Sequence, residues 1–131
     1  MKRIAALAAL GLALAGPAFA ADPAEGVWQT GLDDNGNFGH IRIAPCGPKL
    51  CGTLIRAYDG KGRQIDSDNV GKAIVWDMVP TGPGRYGDGK VWAPDRGKTY
   101  NSKMELQGDF LSVEGCVMGI CRQGGKWKRV R

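Results

Sequence analysis

Four cysteines, one histidine and scattered carboxylates are the residues of this chain with chemistry to offer. Cys46 and Cys51 bracket Gly47-Pro48-Lys49-Leu50, and Cys116 and Cys121 bracket Val117-Met118-Gly119-Ile120. Such a C-x4-C spacing between β-like segments lets two thiols face each other at the mouth of one hairpin. Of the three connectivities open to four cysteines, the two local pairings are favoured. Each bridge would contribute about 2 kcal/mol by restricting the unfolded chain, and would hold hairpin register. The spacings are too wide for the paired C-x2-C knuckles of a zinc site, so no metal is expected there.

The remaining candidates are weaker. His40 would need carboxylates to complete a metal site, and neither Ser67, Ser102 nor Ser112 stands in a Gly-x-Ser-x-Gly elbow. Asp33-x-Asn35-x-Asn37 begins like a calcium loop, but Phe38 holds the position of the turn glycine and Ala44 that of the bidentate glutamate. A turn explains it better. Asp77 interrupts the apolar run Ala73-Ile74-Val75-Trp76-Asp77-Met78-Val79. It either faces water or, if buried, requires a cation such as Arg42, Arg56 or Arg96. Asp95, Arg96 and Tyr100 form a polar-aromatic group that suits either turn architecture or a ligand headgroup. No catalytic constellation and no cofactor motif emerges, so the reading leans away from an enzyme.

The elements that would position these residues follow an N-terminal export signal. Lys2 and Arg3 precede an apolar run from Ile4 to Leu14, Gly16-Pro17 breaks it, and Ala18-Phe19-Ala20 offers a signal-peptidase site. Cleavage is expected after Ala20, dividing the chain into residues 1–20 and a β-barrel domain of residues 21–131. The apolar run is too short to span a bilayer. The full chain carries 18 basic and 13 acidic residues. Loss of Lys2 and Arg3 lowers the net charge from +5 to +3. That balance is no nucleic-acid signature. A periplasmic or secreted location also makes disulfides permissible.

No stretch of the mature chain sustains a helical period. Strand-like runs cover residues 26–30, 38–45, 50–58, 72–79, 85–93, 98–106, 110–115 and 120–130. Turn signals separate them: Asn35-Gly36 suggests a type I′ hairpin, and Gly108-Asp109, Thr81-Gly82-Pro83-Gly84 and Pro94-Asp95-Arg96-Gly97 suggest others. Eight strands in an up-and-down meander remove their edges most simply by closing into a barrel. The polar, glycine-rich segment 59–71 is the exception, a rim loop or lid, or else a solvent loop. Alternation turns Ile41, Ile43, Leu111 and Val113 inward. It groups Ile74 with Trp76 and Met78 on one face, and Val75 with Asp77 and Val79 on the other. It likewise sets Tyr100, Ser102, Met104 and Leu106 opposite Asn101, Lys103 and Glu105.

Gly26-x-Trp28 at the start of the first strand and Arg129 at the end of the last resemble the lipocalin and calycin signature. In that superfamily the tryptophan plugs the closed end of the barrel and the arginine packs across it. A second resemblance covers nearly the whole mature chain. Cys46-Gly47-x-x-Leu50-Cys51-Gly52, Gly89-Lys90-x-Trp92-x-Pro94, Gly97-Lys98-x-Tyr100, Leu111-x-Val113-x-Gly115 and Trp127-x-Arg129 resemble the bacterial family catalogued as domain of unknown function two-one-four-seven. Many relatives carry an acidic residue in place of Ala93, and many lack the second cysteine pair. The resemblance implies an exported, lipocalin-like, all-β barrel and no established activity.

The function these readings favour is a periplasmic binder of a small, partly apolar molecule such as a fatty acid or lipid fragment. Trp76, Trp92 and Tyr100 would line its site, with Arg96, Asn101 and Lys103 near the rim for a polar head. The alternative is an envelope interaction module whose barrel is solid and whose outer face, including Val75 and Val79, docks a partner.

Overall fold

Turn residues cut the chain into short alternating runs, and those runs are its strands. In the computed structural model, which describes residues 21–131, they are β1 (Gly26–Gln29), β2 (Phe38–Cys46), β3 (Lys49–Tyr58), β4 (Gln64–Ile65), β5 (Ala73–Gly82), β6 (Arg85–Ala93), β7 (Lys98–Gln107), β8 (Phe110–Val117) and β9 (Ile120–Arg129). The expected export signal lies outside the described residues. The strands pair in the order β2-β1-β9-β8-β7-β6-β5-β3, and β2 pairs with β3 to close the ring. Eight antiparallel strands therefore make the barrel. The ninth, β4, was not anticipated; it pairs with the end of β3 and orders part of segment 59–71.

Local turn chemistry explains most connections. Pro83 and Gly84 join β5 to β6, with Gly84 at φ +68°, where a type II turn needs glycine. The Asn35-Gly36 turn differs from the expected type I′ geometry, because only Gly36 of that pair has positive φ. Its turn is instead closed by the Gly36 N–H donating to the Asp33 carbonyl at 3.0 Å. Both cysteine pairs are bridged locally, Cys46 to Cys51 and Cys116 to Cys121. The bridges sit at opposite ends of the barrel, one below the β2–β3 turn and one below the β8–β9 turn.

Inward alternation holds on most strands. Ile41, Ile43, Met104, Leu111 and Val113 are all buried. On β5 it fails. Pairing with β3 runs Leu50↔Met78, Gly52↔Val75 and Thr53↔Ala73, so β5 carries an extra residue in each interval. Two bulges therefore break the period of two. Ile74 and Val75 both turn inward, Val75 to full burial, while Trp76 is half-buried. The expected outward face of Val75 is thus wrong, and with it one residue of the outer docking face. Asp77 is exposed at φ +58°. Its short polar side chain tolerates that left-handed backbone, which an apolar residue of the run would tolerate less well. No buried carboxylate needs a cation there.

The lower half of the barrel is solid. Trp28 is fully buried and donates its indole N–H to the Ala24 carbonyl at 2.8 Å. Arg129 lies over the Trp28 ring, 4.3 Å from its centroid, and donates to the carbonyls of Glu25 and Pro23. The N-terminal turn is tied down beside them by Tyr86, whose hydroxyl donates to the Asp22 carboxylate.

Burial, followed by the Asp22 contact, pushes the Tyr86 phenol well above its ordinary value. A folded-state pKa raised in this way favours the protonated form. Its stabilisation is complete below the unfolded phenol value of about 10 and is lost as pH rises above it. Tyr86→Phe should therefore flatten the alkaline decline in stability while lowering the plateau by about 1 kcal/mol. Urea unfolding midpoints between neutral pH and pH 11 would show both effects, and parallel curves for the two proteins would contradict the assignment.

Candidate ligand cavity

The upper half of the barrel is built differently, because four connections meet there: β1–β2, β3–β4 with β4–β5, β6–β7, and β8–β9. Two of them share one five-residue device. In Asp33-Asp34-Asn35-Gly36-Asn37, the Asp33 carboxylate accepts the backbone N–H groups of Asn35 and Asn37. In Asp59-Gly60-Lys61-Gly62-Arg63, the Asp59 carboxylate accepts those of Lys61 and Arg63 in the same way. The Asp–x–x–Gly pattern serves both, since the aspartate mimics a backbone turn and the glycine supplies positive φ. Hydrogen bonding, foremost from the Arg63 N–H, holds the Asp59 carboxyl below its ordinary value. The loops pack closely: a Cβ on Gly60 would stand 2.8 Å from the Gly36 carbonyl oxygen.

Around the ring, the β1–β2 loop starts diametrically opposite the β6–β7 turn. Nevertheless the two touch. Arg96 lies 3.1 Å from the Asp34 carboxylate, and the Asp34 N–H donates to Asp95 at 2.9 Å. The loop of residues 30–37 therefore crosses the barrel mouth and is latched on the far side. The Asp34 contact, then Tyr100 and Asp95, hold the Arg96 guanidinium more firmly charged than usual.

Beneath this lid lies a cavity of about 1030 Å³. Its floor is the top of the apolar core, formed by the buried Ile41, Leu54, Ile74, Val113 and Trp127, and the half-buried Val91 adds apolar wall above it. Its polar groups are confined to the rim, where Asp66, Ser67, Asn69, Arg96, Arg122 and Gln123 contribute. Segment 59–71 is thus part of the cavity wall through β4 and the residues after it. The barrel is thus packed in its lower half and open in its upper half, whereas the interaction-module reading expected it to be solid throughout.

The cavity also has a side opening. β1 spans only four residues and pairs with β9 only at Trp28↔Arg129 and Gln29↔Lys128. Above that point, among the described residues, β9 has a strand neighbour on its β8 side alone. Arg122, Gln123, Gly124 and Gly125 line the cavity along this unpaired edge. The gap lies between β9 and the lid.

Of the six residues expected to form a binding site, the structure brings three together. Trp92, Arg96 and Tyr100 line the cavity. Lys72 additionally sits 5.5 Å from the centroid of the Trp92 ring. Trp76, Asn101 and Lys103 do not line it. The β5 bulges leave Trp76 half-buried outside the cavity, cross-strand from Lys90. Asn101 and Lys103 alternate with the buried Ser102 and Met104 and so face solvent on the outer wall. There Asn101 accepts from Lys90, and Lys103 lies 3.9 Å from Glu114. Sequence reasoning missed Arg122, Gln123 and the lid itself. The Asp–x–x–Gly repeat was the available signal for the lid, but it announces a turn and not where the turn packs. His40 is on the outer face, where burial and then Arg56 and Arg131 lower its pKa. Its ring lies 4.7 Å from that of Tyr58.

Comparison with known proteins agrees with the barrel. Among the described residues no helix is long and apolar enough to cross a membrane. The two disulfides are consistent with an extracellular or periplasmic protein. A search of curated proteins returned no match. A solved structure described as "Protein HP1028 from the human pathogen Helicobacter pylori belongs to the lipocalin family" superposes with a TM-score of 0.64 at 17% identity, covering 82% of each chain. That likeness establishes a lipocalin-like fold. A family sequence model matches residues 26–129, and the chain belongs to that family, described as "Uncharacterized protein conserved in bacteria (DUF2147)".

Proposed function

We propose that the protein is an exported binder of a small, partly apolar molecule, held in the cavity beneath the latched lid. The observation that carries this reading is the distribution of polarity within about 1030 Å³: apolar walls below and polar groups at the rim only. Such a space is at the upper end of the range for small-molecule sites and suits an acyl chain or aromatic body pointing down, with a polar head at the mouth. A fatty acid or lipid fragment meets that description. Trp92 and Tyr100 supply wall area near the rim, and Tyr100 beside Arg96 offers polar contact to a headgroup.

The reading is tested by titrating the purified protein with the apolar fluorophore N-phenylnaphthylamine and displacing it with fatty acids of increasing chain length. Saturable binding with one site per chain is expected, with displacement improving as the chain lengthens. Absence of saturable binding would overturn the reading. Native mass spectrometry of the same preparation reads any molecule that copurifies.

The latch should govern exchange rate more than affinity. Asp34 and Arg96 are both exposed, so their ion pair is screened by salt. Arg96→Ala is expected to accelerate dye release roughly two- to fivefold, the scale of an exposed ion pair. Wild-type protein at high ionic strength should approach the variant's rate. Stopped-flow release with equal rates for both proteins at low salt would rule out a latching role.

A further inference from the structure

The tip of the β8–β9 hairpin carries two independent penalties. Met118 is 95% exposed, flanked by Val117 at 55% and Ile120 at 63%. Met118 also adopts φ +53°, followed by Gly119 at +82°. A two-residue turn with positive φ at both positions favours Asn-Gly or Asp-Gly, and an apolar side chain at the first position is strained. The Cys116–Cys121 bridge closes the hairpin directly below these residues. A strained, stapled, wholly apolar tip in water is explained when something covers it.

Shape, size and charge say what. Met118 and Gly119 form the turn beyond the last ladder pair, Val117↔Ile120, so a protein partner would need a recess to receive them. The exposed side chains amount to a patch of a few hundred Å² at most. A specific protein interface needs roughly 800 Å² per partner. A lipid surface needs neither a pocket nor that area. Two exposed cations lie at the same end of the barrel as the tip: Lys98 at the start of β7, the strand that pairs with β8, and Arg122 just after Cys121. Neither has a carboxylate partner among the described residues. Apolar side chains bordered by unpaired cations match the interface of an anionic bilayer, where tails accept the former and headgroups the latter.

We propose that the Val117-Met118-Gly119-Ile120 tip inserts into the surface of an anionic lipid bilayer, with Lys98 and Arg122 against the headgroups. Val117, Met118 and Ile120 also border the cavity, as does Leu32 of the lid, itself 66% exposed. Docking therefore places the mouth and the side opening next to the lipid. The insertion stands whether or not the cavity holds a ligand, and its readout is separate from dye binding.

Flotation with vesicles of phosphatidylethanolamine and phosphatidylglycerol tests it, using the disulfide-bonded protein. Wild type is expected to float with these vesicles, and less with pure phosphatidylcholine. Met118→Asn suits the turn geometry better than methionine and so should fold at least as well, with an unchanged or higher melting temperature. It should nonetheless bind vesicles at least tenfold more weakly, whereas Met118→Leu should retain binding. Lys98→Gln with Arg122→Gln should remove the preference for anionic vesicles and the salt dependence of flotation. The proposal is overturned if wild type does not float or if Met118→Asn floats equally well. It is also overturned if wild type forms a dimer that Met118→Asn dissolves without any lipid binding, since a second copy would then be the occupant.

Discussion

Trp28→Ala is expected to destabilise the barrel by about 3–5 kcal/mol, the cost of removing a large aromatic side chain from a packed core. Three features place the loss at that scale. The indole is fully buried at the centre of the closed end. Its N–H holds the Ala24 carbonyl, and its face supports the Arg129 guanidinium. Alanine would leave a cavity, an unpaired carbonyl and a cation without its ring. A small domain has only about 5–15 kcal/mol in total, so the variant should lie near the edge of folding at physiological temperature. Arg129→Ala should cost less, because its position at the closed end is partly exposed and its contacts to the Glu25 and Pro23 carbonyls can be taken over by water. Urea denaturation of both single variants and of the double variant measures the coupling. Losses that add without any coupling would show that ring and cation do not act together.

The second large effect concerns the cavity. Gly115 lies on β8 opposite the buried Ser102 and lines the cavity. A Cβ built there would meet the Tyr100 side chain at 3.5 Å or more, an ordinary van der Waals distance, and the backbone is not in the left-handed region. Gly115→Phe should therefore be accommodated, with its ring projecting into the space a ligand would fill. Replacing glycine within a strand by an aromatic residue carries a propensity gain of up to about 1 kcal/mol, which helps offset local repacking. Stability should stay within about 1 kcal/mol of wild type, while N-phenylnaphthylamine affinity falls at least tenfold. Normal dye binding by a well-folded Gly115→Phe protein would move the site elsewhere. Gly82→Ala at the closed end, outside the cavity lining, is a useful control. Its Cβ would meet nothing within 4 Å, and it should bind dye as wild type does.

These expectations draw on different depths of the sequence. Strands with a clean period of two could be read directly: on β2 and β8 the residues at alternate positions are the buried ones. The same rule failed on β5, because a bulge is a relation between two strands. Nothing in Ala73–Val79 alone says that Gly52 and Thr53 will pair with residues two apart. That failure carried Trp76 into the expected binding site and Val75 onto the outer wall. Asn101 and Lys103 are a different kind of miss. Alternation had already set them opposite the inward residues of their strand, and their polarity alone suggested the rim.

Trp92, Arg96 and Tyr100 reached the cavity because they sit at the end of β6, in the β6–β7 turn and near the start of β7, at the mouth. What Arg96 does there was not legible. Its partner Asp34 is 62 residues away and belongs to a loop whose own sequence specifies only a turn. The side opening is equally hidden, since it follows from β1 ending at Gln29 while β9 continues unpaired.

By itself, the sequence determined the all-β class, the eight barrel strands and both local disulfides. Each of these depends on residues close in the chain or on a short-range period, and local sterics decide such features. The Trp28–Arg129 closed end joins the first strand to the last and was legible only through the resemblance to a known signature. The tertiary structure alone decided the bulged face of β5, the lid latched across the mouth, the gap beside β9 and the open space beneath. Those depend on which strands meet and in what register, and that choice is made by the packing of the whole barrel.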